Sequence, residues 1–286
     1  MSKSIKTINM YSGILNELKT EFQCEDMKFA KDTQAVITYI ENLPKAFASK
    51  KLYYAVLTST IRDLKIGKTK LLRQAEEIYR AKMIEYNEKL SEIAEQQQMS
   101  EREEKIWLDW SEVLEAHSKL KEVAEKDIFS YRDYVILSLY VLLPPVRADW
   151  SPVRIVQQED DQKDNQLVVD ISGMVFVLQE YKTAKIHGVK RITIPEPLVS
   201  ILREWLCRNT ESWLFTTRGV PCTSEWLSSR IKAIMKRMTG KSAGINILRH
   251  SYITHMRQGE APVLEQRNLA NSMCHSVFQS QLYRRI

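Results

Sequence analysis

Glycine and proline are scarce in this 286-residue chain, eight of each. That scarcity argues against a protein built mainly of turns and leaves long stretches free to run as helix. Cysteine is scarcer still. Cys24, Cys207, Cys222 and Cys274 are scattered, with no CxxC or other metal-ligand spacing. This excludes a disulfide framework and a zinc ribbon, and reads as free thiols in a reducing compartment. No apolar run approaches the ~20 residues that a membrane span requires. The opening Met1-Ser2-Lys3-Ser4-Ile5-Lys6 lacks the continuous apolar stretch of a secretory signal, so the expectation is an intracellular protein with no membrane partner. Charge of both signs is present but unequal. Lys and Arg number 42 against 36 Asp and Glu, a formal net charge of +6, which is compatible with a polyanionic partner without requiring one. Hydrophobic content of 44% with 27% charged residues is that of a globular protein, and the length suits two domains.

Periodicity predicts a mainly α protein. Ala35, Val36, Ile37, Tyr39, Ile40 and Leu43 outline an amphipathic helix over 30–43 that Pro44 helps to end. A second helix is expected from Ser49, taken as its N-cap, through Leu52, Val56, Ile61 and Leu64. A third covers about 71–96, rich in Glu, Lys, Arg, Ala and Leu. Composition shifts after Gln96-Gln97-Gln98, and Ser100 with Glu103 fits a capping box. The expected domains are therefore 1–100 and 101–286. In the second, Trp107, Trp110, Val113 and Leu114 look like the start of a core, and the apolar run 131–143 reads as a buried helix ending before Pro144-Pro145. The period then alternates. Three short strands at 167–169, 175–178 and 191–194 predict a small antiparallel sheet, with Ser172-Gly173 as a tight turn. Helices resume at 198–208, 224–238 and 247–256.

One set of residues carries chemistry. Arg147 stands in Leu143-Pro144-Pro145-Val146-Arg147-Ala148-Asp149-Trp150, and Lys182 in Tyr181-Lys182-Thr183-Ala184-Lys185. Arg249 stands in Asn246-Ile247-Leu248-Arg249-His250-Ser251, His275 follows Met273-Cys274, and Tyr283 comes last. This order resembles the catalytic set of the tyrosine recombinase (integrase) family, most closely the integrases of large DNA viruses, virophages and related mobile elements. The resemblance implies a helical core-binding domain over 1–100 and a catalytic domain over 101–286. It also implies Tyr283 as the nucleophile, with Arg147, Arg249 and His275 on the non-bridging phosphate oxygens and Lys182 as the general acid. Metal-free cleavage of a phosphodiester needs such groups, and arginine suits the oxyanions because its planar fork stays charged and binds bidentately.

Each of these residues also has a plainer reading. Most arginines end on the surface, a lone histidine is more often structural than catalytic, and loop lysines touch phosphates non-specifically. Lys185 competes with Lys182 for the acid. Asn246 stands where the family usually has His or Lys, and asparagine cannot accept a proton near neutral pH, so the base stays open. Asp149 resembles the acidic residue that orients the first arginine. His250 would point about 100° away from Arg249 on a helix and reads as a supporting residue. Lys190, Arg191, Arg230, Lys232, Lys236 and Arg237 are candidates for DNA-backbone contacts. Three residues follow Tyr283, which leaves subunit coupling as an open question of assembly.

The expected function is site-specific DNA recombination through a 3′-phosphotyrosyl intermediate, without metal or other cofactor. The implied partner is double-stranded DNA, bound by a homo-tetramer on two duplexes, with a monomer as the free form. The implied location is intracellular, wherever the DNA lies: host nucleus, cytoplasm or viral factory. A type IB topoisomerase, which rejoins the original strand, and a non-catalytic DNA-binding derivative are the rival readings.

Overall fold

A computed structural model describes residues 5–64, 69–171, 173–257, 263–273 and 282–285. The chain divides into two compact units, Met1–Gln96 and Gln97–Ile286.

The first unit is helical among its described residues. Helix α1 (Ile5–Glu21) is followed by a 3-10 turn (Met27–Lys31), then α2 (Thr33–Asn42), α3 (Phe47–Asp63) and the long α4 (Lys70–Glu95). Polar caps start several of them: Asp32 accepts from the Ala35 N–H at 3.0 Å, and Thr69 from the Leu72 N–H at 3.3 Å. Ser49 is not a cap. Helix α3 begins two residues earlier, after Ala46, because the Ser49 N–H already bonds the Ala46 carbonyl at 2.9 Å. The core is rich in tyrosine, with Tyr53, Tyr54, Tyr79 and Tyr86 buried beside Leu18, Val36, Ile40, Leu57 and Ile61. Each hydroxyl finds an acceptor, as a buried phenol must. Tyr54 and Tyr86 donate to Glu41, Tyr53 to Glu17, and Tyr79 to the Ala30 carbonyl.

The second unit opens with α5 (Glu101–Ile106), whose capping box joins Ser100 and Glu103. Helices α6 (Trp110–Ala124) and α7 (Ile128–Val141) follow. Trp110 and Val113 enter the core, whereas Leu114 remains 43% exposed. Helix α7 is buried from Tyr131 to Tyr140 without interruption except at Arg132. A helix apolar on all sides belongs at the centre of a domain.

The sheet has the order β1-β2-β3-β4, comprising β1 (Val153–Val156), β2 (Asn165–Asp170), β3 (Gly173–Leu178) and β4 (Lys190–Thr193). It is mixed, which corrects the antiparallel expectation: β2, β3 and β4 pair antiparallel, but β1 runs parallel to β2. The return loop between β1 and β2 makes this possible. Arg154 binds Asp160 at 2.7 Å and Asp164 at 2.5 Å, folding the loop back so that both strands start from the same end. Ser172, half of the expected turn, lies outside the described residues; Gly173 has φ +145, a backbone that suits glycine. A four-residue helical turn, α8 (Ala184–His187), precedes β4. Then come α9 (Glu196–Arg208), a two-strand hairpin of β5 (Thr216–Thr217) and β6 (Val220–Pro221), α10 (Ser224–Thr239), α11 (Ile245–Met256) and α12 (Val263–Ser272). No described helix is long and apolar enough to cross a membrane.

Candidate active site

Helix α7 places the first arginine. It ends at Val141, and Pro144-Pro145 then hold an extended backbone. The buried Tyr140 reaches past the helix end and donates to the Arg147 carbonyl at 2.9 Å. The Arg147 guanidinium makes no hydrogen bond to another described residue. Asp149 stands two residues on. Burial raises its pKa, opposed by the charges of Arg147 and Arg249. Its carbonyl accepts from the Asn165 amide at 2.9 Å.

Helix α11 places the second arginine. Arg249 is 0% exposed. Its Nε donates to the Pro145 carbonyl at 3.3 Å, and its Nη1 donates to the Tyr283 hydroxyl at 3.0 Å. The guanidinium carbon lies 4.8 Å from the Tyr283 ring centroid. Nη2 is buried with no hydrogen-bond partner among the described residues. Burial lowers the arginine's pKa, as does the like charge of Arg147, with a partial counter-pull from Tyr283. An arginine nevertheless stays protonated. A buried guanidinium lacking a hydrogen-bonded carboxylate is costly, and the like charge of the half-buried Arg147 adds to that cost. A bound anion would offset it.

The tyrosine segment is held on this unit at three further points. His250 Nδ1 donates to the Tyr283 carbonyl at 2.6 Å, and the two rings stack with centroids 4.4 Å apart at 20°. The turn of the helix separates Arg249 from His250, yet both reach Tyr283, one at the hydroxyl and one at the backbone. Burial pushes the His250 pKa down to about 4, and Arg285 adds to the shift, so the imidazole is neutral. The Arg285 N–H donates to Thr254 Oγ1 at 3.0 Å, and its guanidinium to Glu103 at 2.9 Å. Burial alone would raise the Glu103 pKa. The Ser100 N–H and hydroxyl together with Arg285 outweigh it and hold the carboxyl at about 2. In the sequence Glu103 reads only as a helix cap and Arg285 only as a residue of the tail. The capping motif was the sole signal that Glu103 is fixed in place.

The remaining sequence-derived candidates make no hydrogen bond to Arg249 or Tyr283 among the described residues. Lys182 and Lys185 are exposed and line one cavity of about 510 Å³ with Lys163 and Tyr181. Asn246 is exposed and lines another, about 420 Å³, with Arg102, Lys232 and His250. His275 lies outside the described residues. Among the basic residues, Arg230 and Arg237 bind the buried Asp133, Arg191 binds Glu159 at 2.6 Å, and Lys190 donates to the Asn271 carbonyl. Lys232 and Lys236 are exposed on α10. The structure thus joins Arg249 to Tyr283, and the charges of Arg147 and Arg249 both act on Asp149. Among the described residues no group of three or more His, Cys, Asp or Glu side chains could hold a metal ion.

No protein-family model matches this chain, and no curated protein matches it. Among solved structures it is similar to XerA recombinase, at 16% identity and TM-score 0.45, over 99% of this chain and 88% of that one. It is similar also to XerH site-specific recombinase bound to palindromic difH substrate in a post-cleavage complex, at 13% identity and TM-score 0.48. The XerH pre-cleavage complex with difH substrate matches at 14% and 0.45. All three are recombinases. The chain covers 66% of each XerH chain, just under two thirds. The site itself holds a buried arginine with a guanidinium nitrogen on a phenol hydroxyl and the charge of a second arginine acting on it, and a guanidinium fork is suited to binding an oxyanion.

Proposed function

We propose that this chain is a site-specific DNA recombinase of the tyrosine recombinase (integrase) family, cleaving and rejoining DNA through a 3′-phosphotyrosyl intermediate. One observation carries the reading. Arg249 is wholly buried, offers one nitrogen to the Tyr283 hydroxyl at 3.0 Å and keeps another unpaired among the described residues, with the charge of Arg147 acting on it. A scissile phosphate bound there would place its non-bridging oxygens on the guanidinium groups and its phosphorus in front of the phenol.

Tyr283 Oη then attacks phosphorus. The Oη–P bond forms as the P–O5′ bond breaks, the phenol passes its proton to solvent water, and the leaving 5′-oxygen takes one from Lys182 or Lys185. His275 would donate to a non-bridging oxygen. Asn246 can donate a hydrogen bond there but cannot act as the base. A 5′-hydroxyl from a second duplex attacks the phosphotyrosine and releases Tyr283. One phosphate ester replaces another at each step, so the exchange needs no external energy source. In this reading unit 97–286 is the catalytic domain and 1–96 a helical core-binding domain. Lys190, Arg191, Lys232 and Lys236 contact the DNA backbone, and four copies act on two duplexes.

The test is a duplex nicked just beyond the cleavage site, so that the short 5′-hydroxyl fragment diffuses away and the intermediate is trapped. The wild-type chain is expected to give a covalent protein–DNA adduct and Tyr283→Phe none. Equal behaviour of the two proteins would overturn the proposal. Joining of strands between two duplexes separates recombination from relaxation of supercoils by one-strand resealing.

A further inference from the structure

Asn165 is the first residue of β2 and only 4% exposed. Asparagine is a poor strand former, and a buried carboxamide is costly unless it is hydrogen-bonded. Here its full capacity of two donors and two acceptor lone pairs is used. Nδ2 donates to the Asp149 carbonyl at 2.9 Å and the Glu180 carbonyl at 3.0 Å. Oδ1 accepts from the Gln179 N–H at 2.9 Å and the Glu180 N–H at 2.8 Å.

These partners belong to the two segments on which the proposed chemistry depends. Asp149 lies on the loop that carries Arg147. Gln179 and Glu180 begin the segment that carries Lys182 and Lys185. They also lie where the sheet ceases to direct the chain: β2 and β3 pair only as far as Gln166 opposite Val177, and β3 ends at Leu178. Beyond that point the course toward Lys182 is set by the Asn165 side chain instead of a strand ladder. The far end of the segment is held separately by the Tyr181 hydroxyl, which donates to the Gly188 carbonyl at 2.6 Å. Between these two anchors both lysines remain exposed.

We infer that Asn165 is a positioning residue that fixes the acid-bearing 179–185 segment against the Arg147–Asp149 loop, and so places the lysine against the arginine-bound phosphate. The inference rests on the recombinase reading above and adds to it a residue that touches neither DNA nor the reacting atoms.

The experiment compares single-turnover cleavage of two nicked duplexes, one with the ordinary 5′-bridging oxygen and one with sulfur at that position. A 5′-thiolate is a stable leaving group near neutral pH, since a thiol has a pKa of about 8.5, and it departs without a proton. A displaced general acid therefore slows the oxygen substrate and spares the sulfur substrate. Asn165→Asp keeps the acceptor for the Gln179 and Glu180 N–H groups but turns a carboxylate oxygen toward the two carbonyls. Asn165→Ala removes all four bonds. Both are expected to raise the sulfur-to-oxygen rate ratio about tenfold or more, because displacing a catalytic group by about 1 Å can cost on the order of 100-fold. Lys182→Ala and Lys185→Ala serve as controls, and the one that carries the acid gives the largest rise. The ratio is taken within one preparation, so it does not depend on the fraction folded. A wild-type ratio in both Asn165 variants overturns the inference while a wild-type adduct leaves the recombinase reading standing. Loss of all folded enzyme in both variants also overturns it, since Asn165 would then serve folding alone. Failure of the wild-type chain to form an adduct with either duplex overturns both.

Discussion

Two arginine clusters in the second unit show opposite electrostatic designs. On α7 and α10, Asp133 is 0% exposed, and its two oxygens accept from Arg230 at 2.6 and 2.7 Å and from Arg237 at 2.6 Å. The buried carboxylate is fully answered, and no place remains for another anion. Around Arg249 the balance is reversed. Asp149 lies near enough to feel both arginines, yet neither guanidinium hydrogen-bonds a carboxylate among the described residues, and one buried nitrogen is left over. A protein interior tolerates such an imbalance only where other interactions compensate for it, and such places are commonly functional sites. Charge alone would not separate Arg230 from Arg249. The partner does.

The sharpest break in this comparison is to remove each charge and measure both chemistry and stability. Tyr283→Phe is expected to abolish the covalent adduct. Arg249→Met, close to arginine in length, should slow single-turnover cleavage by about 100-fold to 1,000-fold, the cost of losing one preorganised oxyanion donor. Its urea unfolding midpoint should hold or rise, because a buried unanswered charge has gone. Asp133→Asn should do the reverse. Breaking a buried ion pair from one side costs about 3–5 kcal/mol of stability, while the folded fraction should still form adduct. Cleavage lost and stability kept in Asp133→Asn would collapse the distinction.

Acidification gives a smaller effect. His250 in the fold titrates at about 4 against an ordinary 6.5, since burial disfavours its charged form. As pH falls from 6.5 to 4, unfolded chains take up a proton that folded ones do not, so stability falls over that window and the His250 contribution is then exhausted. Glu103 adds a second loss between pH 4.5 and about 2, as unfolded chains take up a proton that the Arg285-bound carboxylate of folded ones refuses. His117, also lowered to about 4 by burial, contributes over the first window. Replacing His250 with Gln should reduce the slope of stability against pH between 6.5 and 4 by at most about 1.4 kcal/mol per unit. An unchanged slope, followed by thermal unfolding across a pH series, would show that His250 is not shielded. The smallest effect is expected at the surface pair of Arg191 and Glu159, where Glu159→Gln should alter stability by less than about 0.5 kcal/mol.

Legibility differed by element. Helix α7 was readable because its apolar run is unbroken, and α5 because Ser100 and Glu103 form a local motif. Strand β1 was not, since Val153–Val156 is too short to show alternation and its parallel pairing depends on Arg154 gripping two aspartates ten residues or fewer away. The β5–β6 hairpin is only two residues to a strand. In the site, Arg147, Arg249 and Tyr283 stood out through a resemblance of residue order; the structure joins Arg249 to Tyr283 and lets the charge of Arg147 act on Arg249. Asn165 carried no signal, because a single asparagine at the head of a strand says nothing about four backbone partners 14 to 16 positions away. Arg285 and Glu103 are 182 positions apart, beyond the reach of any local pattern.

The sequence by itself determined the helical character, the capping box of Ser100 and Glu103, and the residues able to do phosphoryl chemistry, since these depend on side-chain type and on spacings of a few residues. Only the tertiary structure decided which arginines are neutralised and which are left charged. It alone showed that the sheet is mixed, that His250 and Arg249 hold opposite ends of one tyrosine, and that Asn165 joins the arginine loop to the lysine loop. Those outcomes depend on desolvation and on hydrogen-bond geometry between distant segments. Neither exists until the chain has folded.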